Sequence, residues 1–401
     1  MKDAFIYDAV RTPRGKGREG GALSNIAPPE LLHKLINAVL QRTGIDPATI
    51  EDLILGCVTQ VGEQGGNIAK VAALYSGLPD SVSGITINRY CSSGLDACNF
   101  AAMKIMTGVD DVLLAGGVES MSRVAMLSDN ASFYADPDIV KRTGFVPMGL
   151  AADLIASLDG ISREQCDAYA VQSQQRAAAA QDGDHFARSL IAIDDDASGE
   201  MISLDECVRR NVTVEKLATF DPIFVEFGRQ GYEAAFKAAF PELDELDYVH
   251  HAGNSPAIVD GASLVVIGSE EGGKANDLKP RARIRTMSNV SSNRLIALTG
   301  GIDAAIDALK KAAMSESDVE LVEFNEAFAS TSIKFARDTG WCEDQVNVNG
   351  GAIALGHAMG ATGASLVGTL LDELERRDLS IGLVATSGAS GTGTATIIER
   401  V

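Results

Sequence analysis

Ile85-Thr-Ile-Asn-Arg-Tyr-Cys-Ser-Ser-Gly-Leu-Asp-Ala-Cys98 is the stretch on which the rest of the chain turns. Residues 85–88 are rich in β-branched side chains and predict a short buried strand. Residues 92–107 predict a helix packed on it, with Leu95, Cys98, Ala102 and Ile105 recurring at helical spacing. Cys91 falls at the junction, so its sulfur is expected at the helix N-terminus. Unpaired N–H groups and the macrodipole favour a thiolate there, and the thiolate is the nucleophilic form. A small apolar core cysteine is the competing reading of the same position.

The 401 residues suit two or three domains, and 46% hydrophobic content is ordinary for a globular protein. No run of 18 apolar residues occurs, so no membrane span is expected. Met1 to Arg11 lead straight into a strand, which predicts no signal or transit peptide. A net charge of −21 argues against nucleic acid and anionic membranes as partners. An anionic ligand would need a local basic patch. The six cysteines form no CxxC pair, so a reducing cytoplasmic setting and no zinc site are expected.

Two parts of the chain share one layout. In the first, strands at 4–10, 50–58, 85–88 and 111–120 alternate with helices at 29–42 and 92–107. In the second, a strand at 282–287, a helix at 302–313 and a strand at 319–327 come first. Val346-Asn-Val-Asn then answers Ile85-Thr-Ile-Asn, a helix of small residues follows, and a strand opens at Ile381. Alternation of this kind predicts parallel-rich sheets covered by helices. Two copies imply a pseudo-twofold axis, with strand ends of both halves converging on one pocket. Residues 121–249 break the pattern. They read as a polar, loop-rich insertion covering a site, with one strong helix capped by Ser162. Residues 248–269 return to the first half.

Gly350-Gly-Ala-Ile-Ala-Leu-Gly-His-Ala-Met-Gly-Ala-Thr-Gly-Ala is the second informative stretch. Gly356, Gly360 and Gly363 fall at helical spacing, where glycine is costly unless a backbone approaches closely. His357 is the one histidine in such a setting. His33 lies on an ordinary helix, His185 in a polar loop, and His250 and His251 at a strand start. A cysteine nucleophile needs a nearby base, which favours His357 over a structural histidine. Asn325 ends a strand, where it can cap a turn or donate to an oxyanion. Ser387-Gly-Ala-Ser-Gly-Thr-Gly resembles a phosphate loop but lacks the P-loop lysine.

Together these residues resemble the thiolases over nearly the whole chain. The resemblance rests on Asn88-Arg-Tyr-Cys-Ser-Ser-Gly, Gly116-Gly-Val-Glu-Ser-Met-Ser, Pro147-Met-Gly-Leu-Ala-Ala-Asp, Glu215-Lys-Leu, Val259-Asp-Gly-Ala, Asn325-Glu-Ala-Phe-Ala and Gly356-His-Ala-Met-Gly-Ala-Thr-Gly, in that order. It implies an α/β, thiolase-like fold: two pseudo-repeated αβ halves, at 1–270 and 271–401, form a five-layered α-β-α-β-α core. A loop domain is inserted at about 122–249. The implied activity is reversible thiolysis of 3-oxoacyl-CoA, or Claisen condensation in reverse, by an acyl-CoA C-acyltransferase. Coenzyme A thioesters would be substrates, with no permanent cofactor and no metal. The resemblance also implies a homodimer or homotetramer. Cys91 would be acylated and His357 would activate it. Asn325 would hold a water for one oxyanion hole, and the backbone N–H groups of Cys91 and Ala389 would form the other.

One departure bears on mechanism. Ser387 stands where the family has a second cysteine that moves the α-carbon proton. A cysteine of pKa about 8.5 is a base near neutrality and a serine hydroxyl is not. An engineered change, a subfamily with another base, or lost chemistry all fit. Substrate positions also differ: Pro147 replaces a histidine before Met148, and Ser255 lies one residue early, with Pro256 at the aligned place. Arg209 matches a nucleotide contact, and Phe224 and Phe328 match acyl-pocket positions. Tyr232, Phe236 and Phe240 line one helical face, as packing or as a substrate lid. A ketoacyl-synthase-type enzyme is the close rival, disfavoured by Gly-His-Ala-Met-Gly. A non-catalytic acyl-CoA- or lipid-binding protein on the same fold is the rival from another class.

Overall fold

The computed structural model describes residues 2–401. In the first half, β1 (Phe5–Arg11), α1 (Pro28–Thr43), β2 (Asp52–Gly56), α2 (Ile68–Tyr75), β3 (Ile85–Ile87), α3 (Ser93–Thr107) and β4 (Val112–Ser120) run in order. An insertion carrying α4 (Met148–Asp159) and α5 (Arg163–Asp182) follows, and β5 (Val259–Gly268) rejoins the half. The second half has β6 (Ala282–Ser291), α6 (Gly300–Ala312), β7 (Leu321–Phe324), α7 (Ala329–Thr339), α8 (Met359–Arg376), β8 (Ile381–Ser387) and β9 (Thr392–Arg400).

The strand order repeats. The first half reads β3-β2-β4-β5-β1 and the second β7-β8-β9-β6. In each, the helix-connected strands pair in parallel and the following pairs are antiparallel. The missing fifth member of the second half is Val346, reduced to one parallel bridge with Val322. It answers β3 as the sequence repeat predicts. The two sets join where Phe5 and Ile6 of β1 pair with Arg283 and Ala282.

Side-chain alternation assigns the layers. On β2, Leu53 and Leu55 face α1 and α2 with Leu31, Leu35, Ile68 and Ala72. Ile54 points to the other side. There it joins Leu95 and Ile105 of α3, Leu366 and Leu370 of α8, and Val384 and Ile398 of the second half. Beyond that, Phe324, Leu383 and Ile397 pack on Ile302 of α6 and Phe335 of α7. The order is helix, sheet, helix, sheet, helix, with α3 and α8 as the shared middle layer.

The middle layer explains the glycines. A Cβ on Gly94 of α3 would lie 2.6 Å from the Gly360 carbonyl oxygen, and one on Gly363 would lie 2.3 Å from the Leu95 nitrogen. Gly360 and Gly363 therefore let two helix backbones touch. Gly356 differs from the expectation: it precedes α8, at φ +97, and a Cβ there would lie 2.3 Å from Val259 Cγ1. It shapes the turn before His357 rather than a helix face.

Two further expectations are corrected, and one open reading is decided. β3 is an exposed edge strand rather than a buried one, with Ile85 47% accessible. The insertion is not merely a cover with one helix. It has two long helices, and Leu150, Leu154, Ile155, Ala170 and Leu217 build a core of its own with Phe328 and Ile353. Ser162 does cap α5, in a reciprocal capping box with Gln165. Lastly, the Tyr232–Phe240 stripe starts directly after a helix break at Gly231 (φ +108), and all three aromatics pack into that same core. This favours packing over a lid. No single helix among the described residues is long and apolar enough to cross a membrane. Pro137–Asp159 with Arg163–Asp182 passes only as a pair bent by 119°, and its Leu150, Leu154, Ile155, Cys166 and Ala170 sit in the insertion's core.

Candidate active site

Cys91 tops a tight turn between β3 and α3. Asn88 Oδ1 accepts the Tyr90 N–H (2.8 Å), Ser93 Oγ accepts the Arg89 N–H (2.8 Å), and the Ser93 hydroxyl donates to the Tyr90 carbonyl (2.6 Å). These bonds hold Tyr90 in the left-handed region at φ 51, a conformation costing roughly 1–3 kcal/mol. The turn leaves Cys91 half-buried at the helix start. Burial, with the Glu119 charge next in weight, pushes its thiol up to about 12. The helix terminus does not outweigh these, so the resting group is a thiol and the expected thiolate is corrected.

His357 is buried at the matching turn before α8. Its Nδ1 lies 2.8 Å from Thr362 Oγ1, and the Thr362 hydroxyl donates to the Ala358 carbonyl at 3.0 Å. With the hydroxyl proton so used, Nδ1–H is the donor and Nε2 carries the lone pair. Nε2 is buried and has no partner among the described residues. Burial, and secondarily the charge of Arg14, lowers the imidazole to about 4, which leaves it neutral near neutrality.

The two turns are related by position. Cys91 lies three residues before Gly94 and His357 three before Gly360, and Gly94 and Gly360 are the point of backbone contact. The repeat thus brings a thiol and a free imidazole nitrogen to the same end of the touching helices.

Asn325 follows β7, its N–H bonded to the Ala385 carbonyl at 3.0 Å. Both polar atoms of its side-chain amide are buried without a partner among the described residues, as befits a group presented to a ligand or water. Ser387 ends β8, fully buried, and its Oγ accepts the Gly301 N–H at 2.9 Å. Ala389 begins the turn after it, where Ser390 has φ 56. Phe224 meets Phe328 edge-on, with centroids 6.0 Å apart. The Phe224 ring covers Gly149, next to Met148, and Met148, Phe224 and Phe328 belong to the insertion's apolar cluster.

Arg209 borders a cavity of about 570 Å³ together with Lys16, Gly17, Arg18, Glu206, Cys207, Val208, Ala257 and Ile258. The Ala257 carbonyl accepts the His357 N–H at 2.9 Å, so this basic hollow adjoins the histidine turn. Ser255, buried with an unpartnered Oγ, is not on the cavity wall. Of the remaining histidines, His250 pairs with Asp153 and His251 with Asp167, each at 2.7 Å, as satisfied core groups.

Residues 4–231 match the family model described as "Thiolase, N-terminal domain" and residues 278–400 match "Thiolase, C-terminal domain". The chain belongs to the thiolase family. It is 39% identical to a protein of Shewanella loihica named 3-ketoacyl-CoA thiolase, and 38% identical to one of the same name from Aeromonas salmonicida, with 100% of each chain covered. The crystal structure of the Bacillus anthracis acetyl-CoA acetyltransferase superposes with a TM-score of 0.86 at 32% identity, over 100% of this chain and 99% of that one. The protein is accordingly a thiolase acyltransferase; neither geometry nor relatives favour the binding-only reading.

Sequence reasoning missed the thiolase's buried supports. Glu119 accepts N–H groups of Val58, Thr59 and Gly360 and the Gln64 amide, at 2.8–3.1 Å, tying the Cys91 half to the first turn of α8. Glu326 gathers Tyr169, Ser173 and the Ile353 N–H within 3.0 Å and fixes the turn after Asn325. Both stood inside quoted motifs as charged residues without an assigned partner. That was the available signal.

Proposed function

We propose that this thiolase cleaves 3-oxoacyl-CoA by thiolysis, and runs the reverse condensation, through an acyl-enzyme on Cys91. The observation that carries the proposal is the paired geometry: a neutral imidazole with a free Nε2 lone pair and a cysteine thiol at mirrored places on two helices in backbone contact. Nε2 takes the Cys91 proton as sulfur attacks the thioester carbonyl. The departing CoA thiolate takes that proton back from Nε2. In condensation, a base removes an α-proton from a second acyl-CoA and the carbanion attacks the acyl group. Cys91 sulfur then leaves and is reprotonated. Backbone N–H groups of Cys91 and Ala389, and a water held by Asn325, would stabilise the oxyanions.

The cavity beside Arg209 supports CoA as the ligand, because Lys16, Arg18 and Arg209 make a local cation cluster on a chain of net charge −21. Met148, Phe224 and Phe328 would face the acyl chain, and Ser255 the pantetheine arm. The halves are taken as 1–270, with 122–249 inserted, and 271–401. The homologues' name supports 3-oxoacyl substrates. Six free cysteines accord with a reducing cytoplasm. A homodimer is supported by exposed Val71, Leu74 and Tyr75 on α2, Ile85 on the β3 edge, and Phe100 and Met103 on α3, a large apolar surface of the kind self-association covers.

The experiment is mass spectrometry of peptides after mixing with acetyl-CoA. An acetyl adduct on Cys91 is expected. An adduct on Cys57 or Cys98 in its place, or none, defeats the assignment.

A further inference from the structure

Arg14 is a buried arginine that the reaction scheme does not use. It is 5% accessible, and among the described residues no carboxylate oxygen lies within 4.0 Å of its guanidinium. Its neighbour Arg11 takes Asp205 in a bidentate pair at 2.8 and 2.9 Å. Asp205 reaches Arg14 only through the Arg14 backbone N–H, at 2.9 Å. The side-chain partner of Arg14 is a neutral hydroxyl, Ser365 Oγ, at 2.8 Å from Nη2. Burying a cation without a paired anion is costly, and the guanidinium is itself lowered to about 10 by burial and by Arg11.

The hydrogen bonds from Arg14 lead to the base. Ser365 Oγ donates to the Thr362 carbonyl at 2.8 Å, and Thr362 Oγ1 is the acceptor that holds His357 Nδ1. The cavity shared by Arg14, Thr362 and Ser365 is about 10 Å³, too small for a phosphate or carboxylate, so the charge is not waiting for an anionic ligand. We infer that Arg14 is a positioning residue for His357, fixing the Ser365–Thr362 turn behind the imidazole and presenting an uncompensated positive charge to its back.

Two consequences follow for the reaction, and both rest on His357 being the acylation base. At rest, a cation behind the ring disfavours imidazolium and keeps Nε2 ready to accept the thiol proton. After transfer, the same repulsion makes the imidazolium a stronger acid toward the departing CoA thiolate. The other groups facing this region do not supply the effect. Cys91 is a neutral thiol at rest, and Cys207 is likewise raised, to about 11. Glu119 is engaged by four donors. Asp260 is held by Ser122, and burial drives Glu323 toward its protonated form.

The test is the pH profile of the acylation step, read as CoA released on mixing with acetyl-CoA between pH 5 and 8. The imidazole of the wild type, at about 4, predicts a rate free of a histidine limb down to pH 5.5. Arg14→Met removes the charge at similar length. Burial, the larger cause, remains in Arg14→Met, so its imidazole rises only part of the way from about 4 and the acid limb of its acylation profile shifts to higher pH than the wild type's, with the loss greatest at the pH 5 end of the range. Arg14→Lys keeps the cation and should restore the flat profile. An Arg14→Met enzyme whose profile superposes on the wild type overturns the inference, whatever its absolute rate. Arg14→Gln is the second neutral variant. If neither neutral form folds while Arg14→Lys does, Arg14 is a structural cation and the inference falls. Absence of any Cys91 adduct in the wild type would instead defeat the acyl-enzyme reading itself.

Discussion

Ser387 holds its hydroxyl oxygen on the Gly301 N–H, at the first turn of α6. A helix N-terminus stabilises an anion by its free N–H groups and dipole, yet a serine hydroxyl is too weak an acid to exploit this near neutrality. A thiol in the same place would become a usable base, and the absent side chain of Gly301, whose Cβ would lie 2.8 Å from Ser387 Oγ, leaves room for the larger sulfur. General acid–base groups contribute typically 10²–10⁴-fold. Ser387→Cys should therefore raise condensation and thiolysis by about that 10²–10⁴ factor, while acylation of Cys91 by acetyl-CoA stays near its original rate. Equal turnover by both forms would show that another group moves the α-proton. At this scale Cys91 and His357 were legible because each carries a local signature, a helix junction and a glycine setting. Arg14 and Glu119 were not. A charged residue near a strand end reads as surface until its tertiary neighbours are known, and here the farthest of those neighbours lies 241 residues away in the chain for Glu119 and 351 for Arg14.

Helices α3 and α8 start directly after the two reacting side chains, so their spacing is a catalytic dimension. Gly363 sets it: an added Cβ would meet Leu95 N at 2.3 Å, Leu95 Cβ at 2.7 Å and Leu95 Cα at 2.9 Å, with backbone atoms that cannot swing away. Gly368, one turn and a half further along α8, would place its Cβ 3.2 Å from the Ala9 methyl and 3.7 Å from Ser189 Cβ. Both changes to alanine gain the same helix propensity, about 1 kcal/mol. Only Gly363→Ala forces the helices apart, at an overpacking cost of about 1–3 kcal/mol or more. Thermal melts should show Gly363→Ala below Gly368→Ala, and the acylation rate should fall for the first and hold for the second. Similar melts and rates for the two would mean that the helix contact yields freely. Helical spacing in the sequence announced a close approach for Gly360 and Gly363. It mistook Gly356 for a third member, because the break at Ala358 that starts α8 afresh has no signature in that glycine register.

The repeat in the sequence anticipated two like units of helix-covered sheet, and the thiolase resemblance implied the five layers in which such units bury their inner faces on each other. It did not anticipate that β3 lies at the open end of the strand order, because a β-branched tripeptide has the same composition in the middle of a sheet as at its edge. In the single chain Ile85 of this edge is exposed, as are Leu74 and Tyr75 on α2, which packs on one face of the sheet, and Phe100 and Met103 on α3, which packs on the other. An edge strand with apolar neighbours on both faces invites pairing with another strand. A second copy of the same edge, related by a twofold axis, satisfies the free backbone groups of both. We expect the wild type to sediment as a dimer at micromolar concentration. Ile85→Lys puts a charge on the edge and should shift the population to monomer. The turn that holds Cys91 begins at Asn88, directly after β3, so acylation of the lysine variant should fall on dilution and recover at high protein concentration. A wild type that sediments as a monomer, or a lysine variant that remains dimeric, would move the subunit contact away from β3.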